Sequence, residues 1–292
     1  MDQAQQLRNI IKRKQQVEIC HARVLTVTSG KGGVGKSNTA VNLAVWFAKQ
    51  GKRVIIFDAD FGLANVEVMF GAVPKMNLSD VIYHGKSITD VITPGPEGIG
   101  FISGGSGVVG MNNLNLGQIT YLLGNLSELD RIADIIIIDT GAGVSDAVME
   151  FVLSSPEVIL VTTPEPSSLT DAYSLLKALF RNPAFQPGLT EVKVLANRVT
   201  DEEEAKGIYE KLNTVSMQFL AARVAYLGMI PQDAQLEKAV RKQKPVSLLY
   251  PEAKSSLAYG RVAATLSEVP LAEEKKRGIS GLLKDLLSRR NG

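Results

Sequence analysis

The sequence predicts one doubly wound α/β domain with a mostly parallel sheet and helices on both faces, and three observations carry that prediction. Short β-branched runs alternate with helical patterns from residue 23 onward, the order that builds parallel sheets from strand–helix units. The run Ile135-Ile136-Ile137-Ile138 is apolar without alternation, as expected of a strand covered on both faces. A glycine-rich segment, Gly30-Lys31-Gly32-Gly33-Val34-Gly35-Lys36-Ser37, lies between the first strand pattern and the first helical one.

Residues 2–19 read as a helix outside the domain, because Ala4, Leu7, Ile10 and Ile11 share one stripe with Arg8, Lys12, Arg13 and Lys14 around it. The N-terminal unit is therefore 1–22 and the main domain 23–270. The domain opens with a strand at 24–28, the glycine segment and a helix at about 36–49. A strand at 53–57 and an acidic loop at 58–60 follow. Residues 62–98 are rich in Gly and Pro and predict shorter elements, among them a helix near 77–83. A strand at 100–102 leads into a flexible-looking stretch at 103–107, then a helix at 116–126. After the isoleucine run, strands at 158–162, 192–196 and 224–229 alternate with helices at 169–179, 203–219 and 234–241, and a last helix fits 253–266. Residues 271–292 form a charged linker and an amphipathic helix.

Composition narrows the function classes. With 292 residues and 45% apolar content, the chain has ample material for a core. The formal charge of +2, from 32 basic and 30 acidic residues, gives no global reason to expect nucleic-acid binding. Cys20 is the sole cysteine, so one chain can build neither an internal disulfide nor a cysteine-held cluster, and Cys20 and His21 read as incidental. No run of signal-peptide type opens the chain, and no stretch approaches the roughly 20 apolar residues needed to cross a bilayer. The expected compartment is the cytoplasm, with reversible contact at the cytoplasmic face of the inner or plasma membrane.

The glycine segment satisfies the G-x-x-x-x-G-K-[ST] pattern in its strand–loop–helix setting, so the domain is expected to be of the P-loop NTPase type. Glycines turn the backbone tightly and present N–H groups to a phosphate, and the following helix start adds positive dipole character. Gly32, Gly33, Val34, Gly35 and Asn38 are expected to line the phosphate cradle, with Lys36 reaching the β- and γ-phosphates and the Ser37 hydroxyl on Mg²⁺. Asp139, directly after the isoleucine run, stands where a strand end can bring a carboxylate to that ion. Gly141 and Gly143 leave the backbone free to respond to a γ-phosphate. Asp58 is expected to shape the metal shell, and Asp60 is the candidate for orienting the attacking water.

A second lysine, Lys31, lies inside the loop, and Lys31-Gly32-Gly33-Val34-Gly35-Lys36-Ser37 resembles the deviant Walker A motif of the MinD/ParA-type ATPases. The resemblance continues through Asp58-Ala59-Asp60-Phe61-Gly62-Leu63-Ala64-Asn65, Asp139-Thr140-Gly141-Ala142-Gly143 and Asn197-Arg198. It implies an ATP- and Mg²⁺-dependent ATPase, slow and regulated, whose Lys31 reaches across an ATP-dependent homodimer to the partner's phosphates. By the same resemblance Lys36 and Asp60 act in hydrolysis, Asn197 meets the adenine, and Arg198 belongs to the nucleotide-binding set. The nitrogenase iron protein branch is excluded, because Cys20 has no partner cysteine.

The two ends address the switch. Ile279, Leu282, Leu283, Leu286 and Leu287 form one apolar face beside Lys275, Lys276, Arg277, Lys284, Arg289 and Arg290, which suits an anionic membrane interface. One short helix binds weakly, whereas a dimer presents two. At the other end, Asp2-Gln3-Ala4-Gln5-Gln6-Leu7-Arg8 resembles the DQAxxLR element of the FlhG branch, MinD-like ATPases that limit flagellar number and placement. That resemblance implies that Gln3 assists the nucleotide site of the signal-recognition-type GTPase FlhF while Leu7 and Arg8 dock the helix, and it adds flagellar C-ring components as partners. Competing readings are a MinD-like division-site ATPase, a ParA-like DNA-partitioning protein using Arg241, Lys242 and Lys244, and a nucleotide-gated adaptor with negligible turnover.

Overall fold

The computed structural model describes residues 22–61, 65–105 and 114–268. The N-terminal helix with Gln3, Leu7 and Arg8, and the tail with Ile279, Leu282, Leu283, Leu286 and Leu287, lie outside the described residues.

Among the described residues the strands are β1 (Arg23–Ser29), β2 (Val54–Ala59), β3 (Thr93–Pro94), β4 (Gly100–Ile102), β5 (Ile135–Ala142), β6 (Glu157–Thr162), β7 (Glu191–Val199) and β8 (Ala225–Pro231). They form one sheet in the order β3-β4-β2-β5-β1-β6-β7-β8. Every pairing is parallel except β3 with β4. Helices α1 (Lys36–Lys49), α2 (Val66–Phe70), α3 (Leu78–His84), α4 (Leu116–Leu126), α5 (Asp146–Leu153), α6 (Pro166–Phe180), α7 (Glu202–Leu220), α8 (Ala234–Arg241), α9 (Val246–Leu249) and α10 (Lys254–Glu268) connect them.

Strand alternation explains the two covered faces. Leu25, Val27, Ile135, Ile137 and Ile159 point to the face packed by α1 and α10, with Phe47 and Tyr259. Val24, Phe57, Ile136 and Ile138 point to the opposite face, under α3, α4 and Phe151. On that second face Val158, Leu160 and Val194 meet α5, α6 and α7. Each fully buried Leu, Ile or Phe contributes roughly 1.5–3 kcal/mol relative to exposure, so the isoleucine run serves both cores at once.

Several elements run longer than their sequence patterns. β2 continues through Asp58 and Ala59, which pair with Asp139 and Thr140 of β5, so Asp58 belongs to a strand and the acidic loop begins only at Asp60. Sheet pairing on both sides of β2 overrides the low strand propensity of aspartate. β7 likewise extends past 196 to take in Asn197 and Arg198. The start of the flexible-looking stretch is packed instead: Ser103 is buried and its carbonyl accepts from Leu78 N–H at 3.0 Å.

The end of the sheet where β1 begins is closed by ions. Arg23 donates from Nε and one terminal nitrogen to the two Glu157 oxygens at 2.6 and 2.8 Å. Lys193 donates to the same carboxylate. The other Arg23 terminal nitrogen donates to the carbonyl of Leu266, near the end of α10. Burial pushes the Glu157 carboxyl up, but Arg23 and Lys193 outweigh it and hold its pKa below the ordinary value.

Candidate nucleotide site

β1 ends at Ser29, whose hydroxyl donates to the Lys31 carbonyl at 2.6 Å and starts the loop's turn. Gly30 passes so close to α6 that a Cβ there would stand 2.0 Å from the Asp171 carbonyl oxygen. Gly35 has φ 100°, a left-handed conformation that glycine adopts without cost. It stands at the N-terminus of α1 and offers no side-chain cap, so the first N–H groups of that helix remain available to an anion. Lys36 is 8% exposed.

A buried carboxylate lies at the same end of the sheet. Asp139 is fully buried within β5, and neither oxygen has a hydrogen-bond partner in the protein. Burial raises its pKa to about 7, against the lowering influence of the nearby Ser37 hydroxyl and Lys36 ammonium. A buried, unpartnered carboxylate beside a serine hydroxyl fits a hydrated Mg²⁺ that takes its remaining ligands from phosphate and water. Asp58 is different. Its Oδ1 accepts from Asp60 N–H at 3.0 Å, and its Oδ2 accepts from Asn65 and Val66 N–H at 3.0 and 3.1 Å. It therefore holds the loop that carries Asp60, although burial and Asp139 still raise its pKa well above the ordinary value. The Asp60 carboxylate lies over Gly141, where an added Cβ would stand 3.8 Å from Oδ1.

The remaining wall comes from the ends of β7 and β8. Asn197 donates from Nδ2 to the Val34 carbonyl at 2.7 Å and accepts at Oδ1 from Arg198 N–H at 2.9 Å. Its amide thus braces the phosphate loop from behind. Arg198 has φ 59°, a strained value for a non-glycine residue of the kind found at binding sites. A cavity of about 420 Å³ opens here, lined by Gly35, Asn38, Asn197, Arg198, Pro231 and Asp233, among others. Its volume and mixed lining suit a nucleoside.

The structure brings together Gly32–Asn38, Asp58, Asp60, Asp139, Asn197 and Arg198 at one end of the sheet. Lys31 turns outward at the rim, where Nζ donates to Glu165 Oε2 at 3.0 Å and Ser167 Oγ at 2.8 Å. Sequence reasoning missed Glu165, Ser167, Pro231 and Asp233. Asp233 had a legible signal, an N-cap aspartate after a strand-ending proline, and its side chain does accept from Gln235 N–H at 2.8 Å.

A ParA-group family model, described as an NUBPL iron-transfer P-loop NTPase, matches residues 21–267. The chain belongs to the MinD/ParA P-loop ATPase family. Within that family it is 41% identical over 258 residues to the antiactivator FleN of Pseudomonas aeruginosa, covering 88% of this chain and 91% of FleN. It is 34% identical over 275 residues to the flagellum site-determining protein YlxH of Helicobacter pylori, covering 91% of this chain and 90% of that one. The cell division ATPase MinD of Pyrococcus furiosus shares the fold, with a TM-score of 0.70 at 23% identity over 85% of this chain and all of that one. Membership of this family implies a Walker A site for ATP and Mg²⁺. No described helix is long and apolar enough to cross a membrane.

Proposed function

We propose that this ATPase is a membrane-associating switch that limits flagellar number and placement. The observation that carries the reading is the 41% identity to the antiactivator FleN across 88% of the chain. The 34% identity to a flagellum site-determining protein supports it further. The septum-site protein MinD of Helicobacter pylori is 29% identical over 276 residues, which ranks a division-site role second.

In this reading the α1 N-terminus, Lys36 and the loop N–H groups hold the ATP phosphates, and Ser37 and Asp139 hold Mg²⁺. Held there, Mg²⁺ would neutralise phosphate charge. Asn197, Arg198 and Asp233 bound the nucleoside cavity, and Asp60 orients the attacking water beside Gly141. Lys31 leaves Glu165 and Ser167 to meet the phosphates of a second copy, which makes dimerisation depend on ATP. Two tails carrying Ile279, Leu282, Leu283, Leu286 and Leu287 then engage an anionic membrane together. The N-terminal Gln3, Leu7 and Arg8 act on FlhF, and C-ring components are the remaining partners.

The test measures phosphate release with and without anionic liposomes, together with GTP turnover by FlhF in the presence of peptide 1–20. Vesicle-stimulated ATP turnover and accelerated GTP turnover are expected. Unchanged GTP turnover at saturating peptide rejects the flagellar partner, and ATP-dependent dimerisation without phosphate release leaves a nucleotide-gated adaptor.

A further inference from the structure

The loop that carries Asp60 is held by more than Asp58. Immediately after it, α2 places Glu67 so that Oε2 accepts from the Ser103 hydroxyl at 2.6 Å. Ser103 is 2% exposed, and its oxygen also accepts from Gly105 N–H at 3.2 Å. Between these two residues, Gly104 lies flat against the Asp60 loop: an added Cβ would stand 2.8 Å from the Asp58 carbonyl oxygen and 3.3 Å from that of Asp60. The turn leaving β4 therefore touches the loop by its backbone and ties the helix beyond the loop by a side chain. Asp58 secures the same segment from beneath through three N–H groups. Asp60 is thus bracketed from two sides, and its carboxylate faces Gly141.

We infer that Glu67, Ser103 and Gly104 are positioning residues for Asp60, setting where its carboxylate stands relative to the phosphate loop. The inference rests on the reading that Asp60 orients the hydrolytic water. A displacement of about 1 Å at such a group costs on the order of 100-fold in rate, whereas Glu67, Ser103 and Gly104 belong neither to the Gly30–Ser37 loop nor to the lining of the cavity at Asn197 and Asp233. The contact is a hydroxyl donating to a carboxylate, so a glutamine amide oxygen at 67 serves as acceptor equally well in kind.

The experiment compares S103A, E67A, E67Q and G104A in full-length protein with ATP, Mg²⁺ and anionic vesicles. Turnover is expected to fall at least tenfold in S103A, E67A and G104A, with the ATP dissociation constant within twofold of wild type. E67Q should recover most of the rate, and the double variant S103A/E67A should be no slower than the slower single. Turnover within twofold of wild type in both S103A and E67A overturns the inference, as does a rate loss matched by lost ATP affinity. If wild type itself does not release phosphate, the hydrolysis reading fails. The bracket is then judged by hydrogen exchange at the Asn65 and Val66 amides, where faster exchange in S103A upholds it and unchanged exchange overturns it.

Discussion

Lys31 and Glu165 form an ion pair within one subunit, with Nζ 3.0 Å from Oε2 and a second bond to Ser167 at 2.8 Å. The lysine is 36% and the glutamate 56% exposed, and such pairs contribute about 0–1 kcal/mol. E165Q should therefore shift stability by less than about 1 kcal/mol in urea denaturation. K31A should keep ATP binding but lose ATP-dependent dimers in analytical ultracentrifugation. Dimers of K31A at wild-type levels would contradict the cross-subunit role.

The pH dependence of stability follows from Asp139. Its folded pKa of about 7 exceeds the ordinary 3.8, so the folded state binds the proton more tightly than the unfolded chain does. Below about pH 4 the group imposes no penalty; through pH 4 to 7 stability falls; above 7 the loss is constant, on the order of 4 kcal/mol. Asp58 shifts in the same direction. Nucleotide-free protein should denature at lower urea at pH 8 than at pH 5.5, and D139N should flatten that difference while abolishing Mg²⁺-dependent turnover. Equal midpoints at the two pH values in wild type would refute it.

Gly30 and Gly32 separate close packing from chemistry. A Cβ at Gly30 would stand 2.0 Å from the Asp171 carbonyl, whereas one at Gly32 meets nothing within 4 Å. G30A is expected to destabilise by about 2 kcal/mol or more and G32A by less than about 0.5 kcal/mol. Thermal unfolding checks both; comparable melting temperatures for the two variants would show that α6 yields at Asp171.

Asn197 is expected to act on the phosphate loop before it acts on the base. N197A removes the donor to Val34 and should weaken binding of a fluorescent ATP analogue about tenfold, at a cost of about 1–2 kcal/mol in stability. N197D should bind still more weakly, because a carboxylate oxygen faces the Val34 carbonyl where an N–H stood. Wild-type affinity in N197D would remove the bracing role.

The legible parts of the chain were those where local pattern and tertiary context agree. Gly30–Ser37 was readable because tight turns, close approach and phosphate binding demand the same residues at the same spacing, and the Ile135–Ile138 run because both sheet faces are covered there. Asp58 was misread as a loop acid, since nothing local announces that Asp139 of β5 pairs with it. Ser103 was misread as flexible for a related reason: its order comes from Glu67, 36 positions away. Glu165 and Ser167 stand over 130 residues from Lys31, a distance across which sequence periodicity carries no information. The rim of the cavity at the ends of β7 and β8 was half legible, through Asn197 and Arg198 but not through Pro231 and Asp233.

Arg23 joins the two ends of the described domain. One guanidinium joins the first residue of β1 to the last turn of α10 and to Glu157, so the chain enters and leaves at one pole of the sheet. The phosphate loop leaves β1 at the other pole, roughly 20 Å away at strand rise. The first strand and the last described helix are thus joined at the pole opposite the glycine loop.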